Sequence, residues 1–445
     1  MLGNDQLKAL SLIKDFIFNS KETAFSLIGS AGTGKTYLMN HLIKELNNCI
    51  NIVLCAPTHK AKLVLERASL RECITLHSLL SLTPNLDIFD LDFRDLIFHT
   101  NDKPLSIPRK GLVICDEASM INDDLFNLLI QKCKERNTKL LFLSDQKQLS
   151  PVKSEYESLV YTLNNKFELT EIFRQAWDNA LTPLLVNLRN NYIEIFESSQ
   201  GKSGSIFCYD NTKEFVNMYI KHIKSAISKG DILKTKLCAY TNKRVDKYNE
   251  VLHQLLYPNS EYGHLEFITS NDNFEFGNGK FWNSMDYIIC SEPVKVHKSL
   301  PHFFGQLPGY MLELYDSIYK TSDKVFILSK DISKDILDNL ANTIEDIRID
   351  AVGSTGRKRG MFWKFYYELV NSFTTPMDLE VDGRLIKKKT FSYGYACTTH
   401  RLQGSTFNDI FVDMKDINRC IDNTTLRQLQ YVALSRAKNN AYILQ

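Results

Sequence analysis

Residues 27–38 read LIGSAGTGKTYL, with Gly29 and Gly34 five apart and Lys35-Thr36 directly after. This is the G-x-x-x-x-G-K-T pattern of a P-loop. It lies between an apolar run and a helix-forming one, which is the context the motif needs. The glycines permit a tight loop whose amides face phosphate oxygens, and the helix N-terminus behind it favours negative charge. Lys35 would reach the β- and γ-phosphates of a bound nucleotide, and Thr36 would hold Mg2+. Gly29, Gly32, Gly34, Lys35, Thr36 and Tyr37 are the candidate nucleotide-binding residues of this stretch. A glycine-rich turn that only caps a helix is the bland alternative, and the flanking strand and helix patterns count against it.

A bound triphosphate is reactive only if a metal and a water are also managed. LVICDEASM (112–120) is an apolar strand that ends in Asp116-Glu117. Asp116 would bind the magnesium, and Glu117 would orient or deprotonate the attacking water. FLSDQKQLSPV (142–152) is a further strand end, and Gln148 within it could touch the γ-phosphate and report its loss. An Asp-Glu pair opening a surface helix, and ordinary loop polarity at Gln148, are the competing readings.

These side chains need a sheet to hold them. AFSLIG, INIVLCA, GLVICD and KLLFLSD are apolar throughout and alternate with amphipathic helices over residues 24–145. That predicts a parallel sheet covered on both faces, an α/β fold. The pattern resumes after about residue 178 and again at 391–445. Residues 84–108 interrupt the first α/β region and suggest a small hairpin-like insertion, while 258–390 is aromatic- and glycine-rich with short strand-like runs. The expected organisation is a first α/β domain of 1–83 and 109–177, a pin-like insertion of 84–108, a second α/β domain of 178–257 and 391–445, and a mainly β insert of 258–390.

Bulk composition restricts little. The 445 residues carry 54 basic and 52 acidic side chains, a net charge of +2, which neither demands nor excludes a nucleic-acid partner. The ten cysteines are scattered without a Cys-x-x-Cys pair, so buried reduced thiols in a cytoplasmic protein are expected rather than a disulfide framework. His297 and His302 lack clustered Cys or acidic partners at metal-binding spacing. There is no run of eighteen apolar residues, and MLGNDQLKAL has no signal-peptide pattern.

Six further segments complete an ordered series: LCAPTHKAK (54–62), TLHSLL (75–80), LTEIFRQA (169–176), AYTNKRVDKYN (239–249), TTHRLQGSTF (398–407) and YVALSRAK (431–438). With the three motifs above they resemble the superfamily 1B DNA helicases, within the RecD-like branch and nearest its small Dda-type phage helicases. The series runs from Gln6 to Lys438, nearly the whole chain, while the two inserts carry no motif-level similarity.

The resemblance implies two RecA-like domains with ATP between them and single-stranded DNA across their tops. It implies that Gln6 reads the adenine edge, with a plain surface glutamine as the alternative. It also implies that Arg174 and Arg436 stabilise transition-state charge at the γ-phosphate, and that Gln403-Gly404 contact the phosphates. Thr58, His59, Thr75, His77, Thr399 and His400 would hold the DNA backbone, with little base preference. Arg401 stands where the family usually has lysine, which keeps the charge. In the pin, Phe89, Phe93 or Phe98 could be the wedge on the last base pair; Phe98 is carried as the candidate.

In GSTGRKRGMFWKFYYEL (353–369), a basic run followed by aromatic residues suits nucleic acid. The alternative is a solvated loop and a helix packing the insert's core. The implied activity is DNA-stimulated ATP hydrolysis driving 5′-to-3′ translocation and strand separation in replication or recombination. The expected partners are single-stranded DNA, its junctions with duplex and single-strand-binding or other replication proteins. A monomer in a bacterial cytoplasm, phage-encoded, fits that picture. An RNA helicase, a translocase that does not separate strands, and a P-loop switch remain the other readings.

Overall fold

The computed structural model describes residues 2–30, 32–84, 98–100, 105–149, 157–171, 178–229 and 232–445. Two compact units are present: residues 1–83, 100–245 and 397–445 form one, and 84–99 with 246–396 the other.

The first unit contains two sheets. One has six strands in the order Cys73–Thr75, Ile52–Ala56, Leu112–Cys115, Lys139–Ser144, Ala24–Gly29, Lys166–Leu169, all parallel. Successive side chains of a strand point to opposite faces, so a strand covered on both sides must be apolar at every position. Leu112 and Ile114 pack with Leu10, Ile13, Leu42 and Leu46 on one face, from the Asn4–Asn19 and Lys35–Leu46 helices. Val113 and Cys115 pack with Phe126, Leu129 and Cys133 of the Asp123–Glu135 helix on the other. This is the α/β architecture expected from the apolar runs.

The second sheet has five strands in the order Ala396–Thr398, Thr235–Ala239, Phe407–Asp413, Ala437–Leu444, Ile206–Tyr209, parallel across the last four. Ile410, Val412 and Ile443 join a core with Leu429 and Val432 of the Asn423–Ser435 helix. On the other face Phe411 stacks on Tyr442 at 4.2 Å and meets Tyr219 and Phe215 of the Thr212–Lys229 helix edge-on.

The second unit is built on an antiparallel sheet. Its long strands Gln306–Asp316 and Thr321–Leu328 pair in register from Gly309–Leu328 to Asp316–Thr321. The second α/β domain, expected to resume at 391, resumes at about 397. The strand Phe391–Tyr393 pairs antiparallel with Phe267–Ser270 instead. The reason is aromatic packing: the Phe391 ring lies 5.5 Å from Phe274 and 5.8 Å from Phe281.

The insert is also less purely β than expected. Helices Lys334–Gly353 and Gly356–Val370 pack Leu340, Ile344, Tyr366 and Leu369 into its core. Of the aromatic half of the 353–369 motif, Tyr366 is buried in the core and Trp363 packs against it, while Tyr367, Arg357 and Lys358 are exposed. The backbone of Phe98–Thr100 pairs with Leu82–Pro84. Phe89, Phe93 and the side chain of Phe98 lie outside the described residues.

A buried carboxylate fixes one strand end of the second sheet. Asp416 Oδ2 accepts from the amides of Tyr240 at 3.0 Å and Thr241 at 2.7 Å and from the Thr241 hydroxyl at 3.0 Å. Asp416→Ala leaves two inward-facing amides without acceptors and is expected to lower unfolding free energy by about 2–4 kcal/mol. The check is a urea titration, in which a midpoint equal to the native one would deny the carboxylate this role.

Candidate nucleotide site and nucleic-acid edge

The P-loop turns because two residues adopt left-handed backbone. Gly32 has φ +89° and Gly34 φ +80°. A Cβ on Gly34 would also collide with the Gln6 amide. Gln6 is buried, accepts from the Gly3 amide at 3.1 Å and donates from Nε2 to the Thr33 carbonyl at 3.1 Å. It therefore braces the loop from behind. Lys35 opens the following helix, and its ammonium donates to the carbonyls of Gly29 and of Ser30. Tyr37 is half-exposed on the first turn.

A cavity of about 450 Å³ opens in front of this loop. Gly32, Gly34, Lys35 and Thr36 line one side, with Asp116, Glu117 and Gln148 beside them. Gly404, Ser405, Thr406 and Arg436 close it from the second sheet. Val64 and Ala68, four apart on the His59–Ser69 helix, add an apolar wall. Those two, with Ser405 and Thr406, are lining residues that the sequence reading did not select.

Glu117 follows the strand end in left-handed backbone, φ +51° and ψ +39°. Such a conformation is uncommon outside glycine and is typical of sites held under constraint. Its carboxyl is pushed up to about 7 by burial and by Asp116 next to it, against the pull of Arg436 and Lys35. Asp116 is likewise raised, chiefly by burial, although its carboxylate accepts from the Glu117 amide at 2.9 Å.

The half-buried carboxylates of Asp116 and Glu117 and the Thr36 hydroxyl are hard oxygen donors suited to Mg2+. Among the described residues no three His, Cys, Asp or Glu side chains gather into a metal site by themselves.

Arg436 caps the Asn423–Ser435 helix and is 6 % exposed. Its Nε donates to the Val432 carbonyl at 3.3 Å, and its buried Nη2 has no hydrogen-bond partner among the described residues. A guanidinium with an unspent donor on a residue that lines the P-loop cavity is suited to an anion. Arg174 lies outside the described residues. Gln403 stands behind the cavity wall rather than in it. Its amide reaches the Leu149 carbonyl at 3.5 Å, and Gly404, at φ +72°, packs over Ala61 of the first half.

The residues proposed for the DNA backbone divide into two kinds. Thr58 and Thr75 cap helices at the ends of neighbouring strands, accepting from Ala61 N and Ser78 N at 3.2 Å each. His59 is pushed down to about 4 by burial, and His77 and His400 are lowered for the same reason, so all three are neutral at pH 7. The segment Thr399–Leu402 is brought to the first of these strand ends by Lys60, which donates to the Arg401 carbonyl at 3.1 Å. Thr399 itself is fully buried and donates to the Ala239 carbonyl at 3.2 Å, so its hydroxyl does not face outward. Among the described residues no helix is long and apolar enough to cross a membrane.

Comparison with known proteins agrees with this geometry. The family described as an AAA domain matches residues 2–206, and the UvrD-like helicase C-terminal domain matches 393–444. An uncharacterized protein of Acanthamoeba polyphaga mimivirus is 26 % identical across 98 % of both chains. The ATP-dependent DNA helicase dda of Enterobacteria phage T4 is 28 % identical over 58 % of this chain and 57 % of its own. The RecBCD subunit RecD of Buchnera aphidicola is 30 % identical over 41 % of this chain and 31 % of its own. The crystal structure of Pif1 helicase from Candida albicans shares the fold, with TM-score 0.51 and 18 % identity over 100 % of this chain and 94 % of that one. The two ends of the chain thus match an AAA domain and a UvrD-like helicase C-terminal domain, and the chain is similar in sequence to the Dda and RecD helicase proteins.

Proposed function

We propose that the chain is an ATP-dependent DNA helicase that translocates 5′ to 3′ on single-stranded DNA and separates duplex ahead of it. The observation that carries the reading is the composition of the cavity. Its P-loop and acidic pair come from one parallel sheet and Arg436 from the other. A nucleotide there would be hydrolysed only with both halves in place, which a motor requires and a one-sheet switch does not. The DNA half of the reading is supported by Thr58 and Thr75, which cap helices at neighbouring strand ends, by Lys60 reaching Arg401 of the second half, and by the name of the phage relative. The direction rests on resemblance to the Dda-type helicases.

The chemistry follows from the side chains. A water attacks the γ-phosphorus and passes its proton to Glu117, whose raised pKa lies near the working pH. The bond from the γ-phosphorus to the β–γ bridging oxygen breaks, and ADP and inorganic phosphate leave. Lys35 and Arg436 stabilise the charge that spreads over the γ-oxygens. Mg2+, held by Asp116 and Thr36, would neutralise the phosphates when bound with the nucleotide. Gln6 fixes the loop that carries the amides, so its link to the adenine edge would act through the same brace.

Glu117→Gln keeps size and hydrogen bonding but not basicity. Its turnover should fall about a hundred- to a thousand-fold with nucleotide binding retained. Arg436→Ala should lower turnover by about a thousand-fold. A coupled-enzyme ATPase assay beside a fluorescent-nucleotide titration reads both, and a Glu117→Gln enzyme at native speed would remove the base assignment.

Strand separation is tested on two duplexes, one with a 5′ tail and one with a 3′ tail, with Lys35→Ala as control. Only the 5′-tailed duplex should open, and only with native protein. Opening from the 3′ tail would overturn the direction. Stimulated hydrolysis with neither duplex opened would instead indicate a translocase.

A further inference from the structure

Tyr431 lies within the Asn423–Ser435 helix, 1 % exposed, on the helix that ends at Arg436. Its hydroxyl crosses from the second parallel half to the first and donates to Asp145 Oδ2 at 3.1 Å. Asp145 follows the strand Lys139–Ser144 and is also buried. The same Oδ2 accepts from Gln148 Nε2 at 3.3 Å, while Oδ1 accepts from the Lys147 amide at 3.0 Å. A carboxylate only accepts, so the Gln148 amide must turn its nitrogen to Asp145 and its oxygen away. That oxygen, Oε1, is buried without a hydrogen-bond partner among the described residues, and Gln148 lines the cavity. An attacking water has two hydrogens to place. Glu117 can accept one, and Gln148, which lines the same cavity, carries in Oε1 an acceptor that no group among the described residues uses.

We propose that Tyr431 is a positioning residue for hydrolysis: through Asp145 it holds the Gln148 amide with its oxygen turned toward the lytic water. The second half then controls the reaction from two points on one helix, Arg436 at the phosphate and Tyr431 behind the water. If the halves part, Asp145 loses the hydroxyl and the amide loses the anchor that fixes its orientation. The relay deepens the helicase reading and rests on it. A tyrosine kept only for packing would be replaced by phenylalanine at no cost to catalysis, which separates the two roles.

The test is steady-state ATPase at saturating oligo(dT) for the native chain, Tyr431→Phe, Asp145→Asn and the double variant. Tyr431→Phe is expected to lower kcat by about ten-fold and to leave KM for ATP within about two-fold of native. The double variant should be no slower than the slower single one, because both remove the same relay. Binding of a non-hydrolysable fluorescent ATP analogue should match native affinity throughout, which distinguishes lost positioning from lost fold. Native kcat in Tyr431→Phe, strictly additive losses, or analogue binding that weakens in step with kcat would each overturn the relay while leaving an active helicase. A native chain with no DNA-stimulated hydrolysis would overturn the relay and the helicase reading together.

Discussion

A parallel strand buried on both faces leaves polar chemistry one place, its ends. The strand Leu112–Cys115 is filled by Leu112, Val113, Ile114 and Cys115, which are fully buried, while Ser26 places one buried hydroxyl inside the strand Ala24–Gly29. Charged groups are displaced to where the strands stop. The P-loop follows Gly29, the acidic pair follows Cys115, Asp145 follows Ser144, and Thr58 lies just beyond Ala56. Because neighbouring strands run in the same direction, these ends share one edge, and residues more than a hundred positions apart meet without any long-range pairing of their own. The second sheet contributes differently. Gly404–Thr406 and Arg436 precede the strands Phe407–Asp413 and Ala437–Leu444, whose first residues are in register.

That edge concentrates charge where water is scarce. Asp116 and Glu117 are both pushed toward their neutral forms by burial, and Glu117 further by its neighbour. Lys35 and Arg436 act in the other direction, one from each half. Glu117 thus becomes a better carboxylate when both cations stand close, so proximity of the halves and readiness of the base are linked through ordinary electrostatics. The left-handed backbone at Glu117 is a cost that the surrounding packing must offset, and it aims the carboxylate into the cavity rather than along the strand.

Much of this was legible in the sequence because its signals are periodic or compositional. Unbroken apolar runs identify strands covered on two faces, and glycines before Lys35 identify a loop that needs positive φ. Other features carry no such mark. Val64 and Ala68 line the cavity but look like any helix residues. Tyr431 looks like core, and nothing in YVALSRAK says that its hydroxyl finds Asp145 across the interface. Thr399 belongs to a recognisable motif, yet whether a hydroxyl faces out or back to a carbonyl is decided by backbone geometry alone. The boundary near 391 was misplaced because FSYGYA suits either sheet by pattern. Contact of Phe391 with two other phenylalanine rings settles it, and that contact is non-local.

The nucleic-acid edge follows the same economy of charge. With a net charge of +2 the chain has no general basic field, and burial keeps His59, His77 and His400 neutral. Contacts built from hydroxyls and neutral imidazoles are individually weaker than those of lysine or arginine with phosphate, about 1 kcal/mol against roughly 2. They also release few counterions, so their strength depends little on salt. For translocation as proposed, in which each phosphate is released and the next one taken, many weak, short-range contacts are better suited than a few strong ones. Cations are then best placed where grip should be broken only by chemistry. Lys35 and Arg436 in the nucleotide cavity fit that description, whereas the strand ends that would face DNA mix Lys60 and Arg401 with the neutral side chains of Thr58, His59 and Thr75.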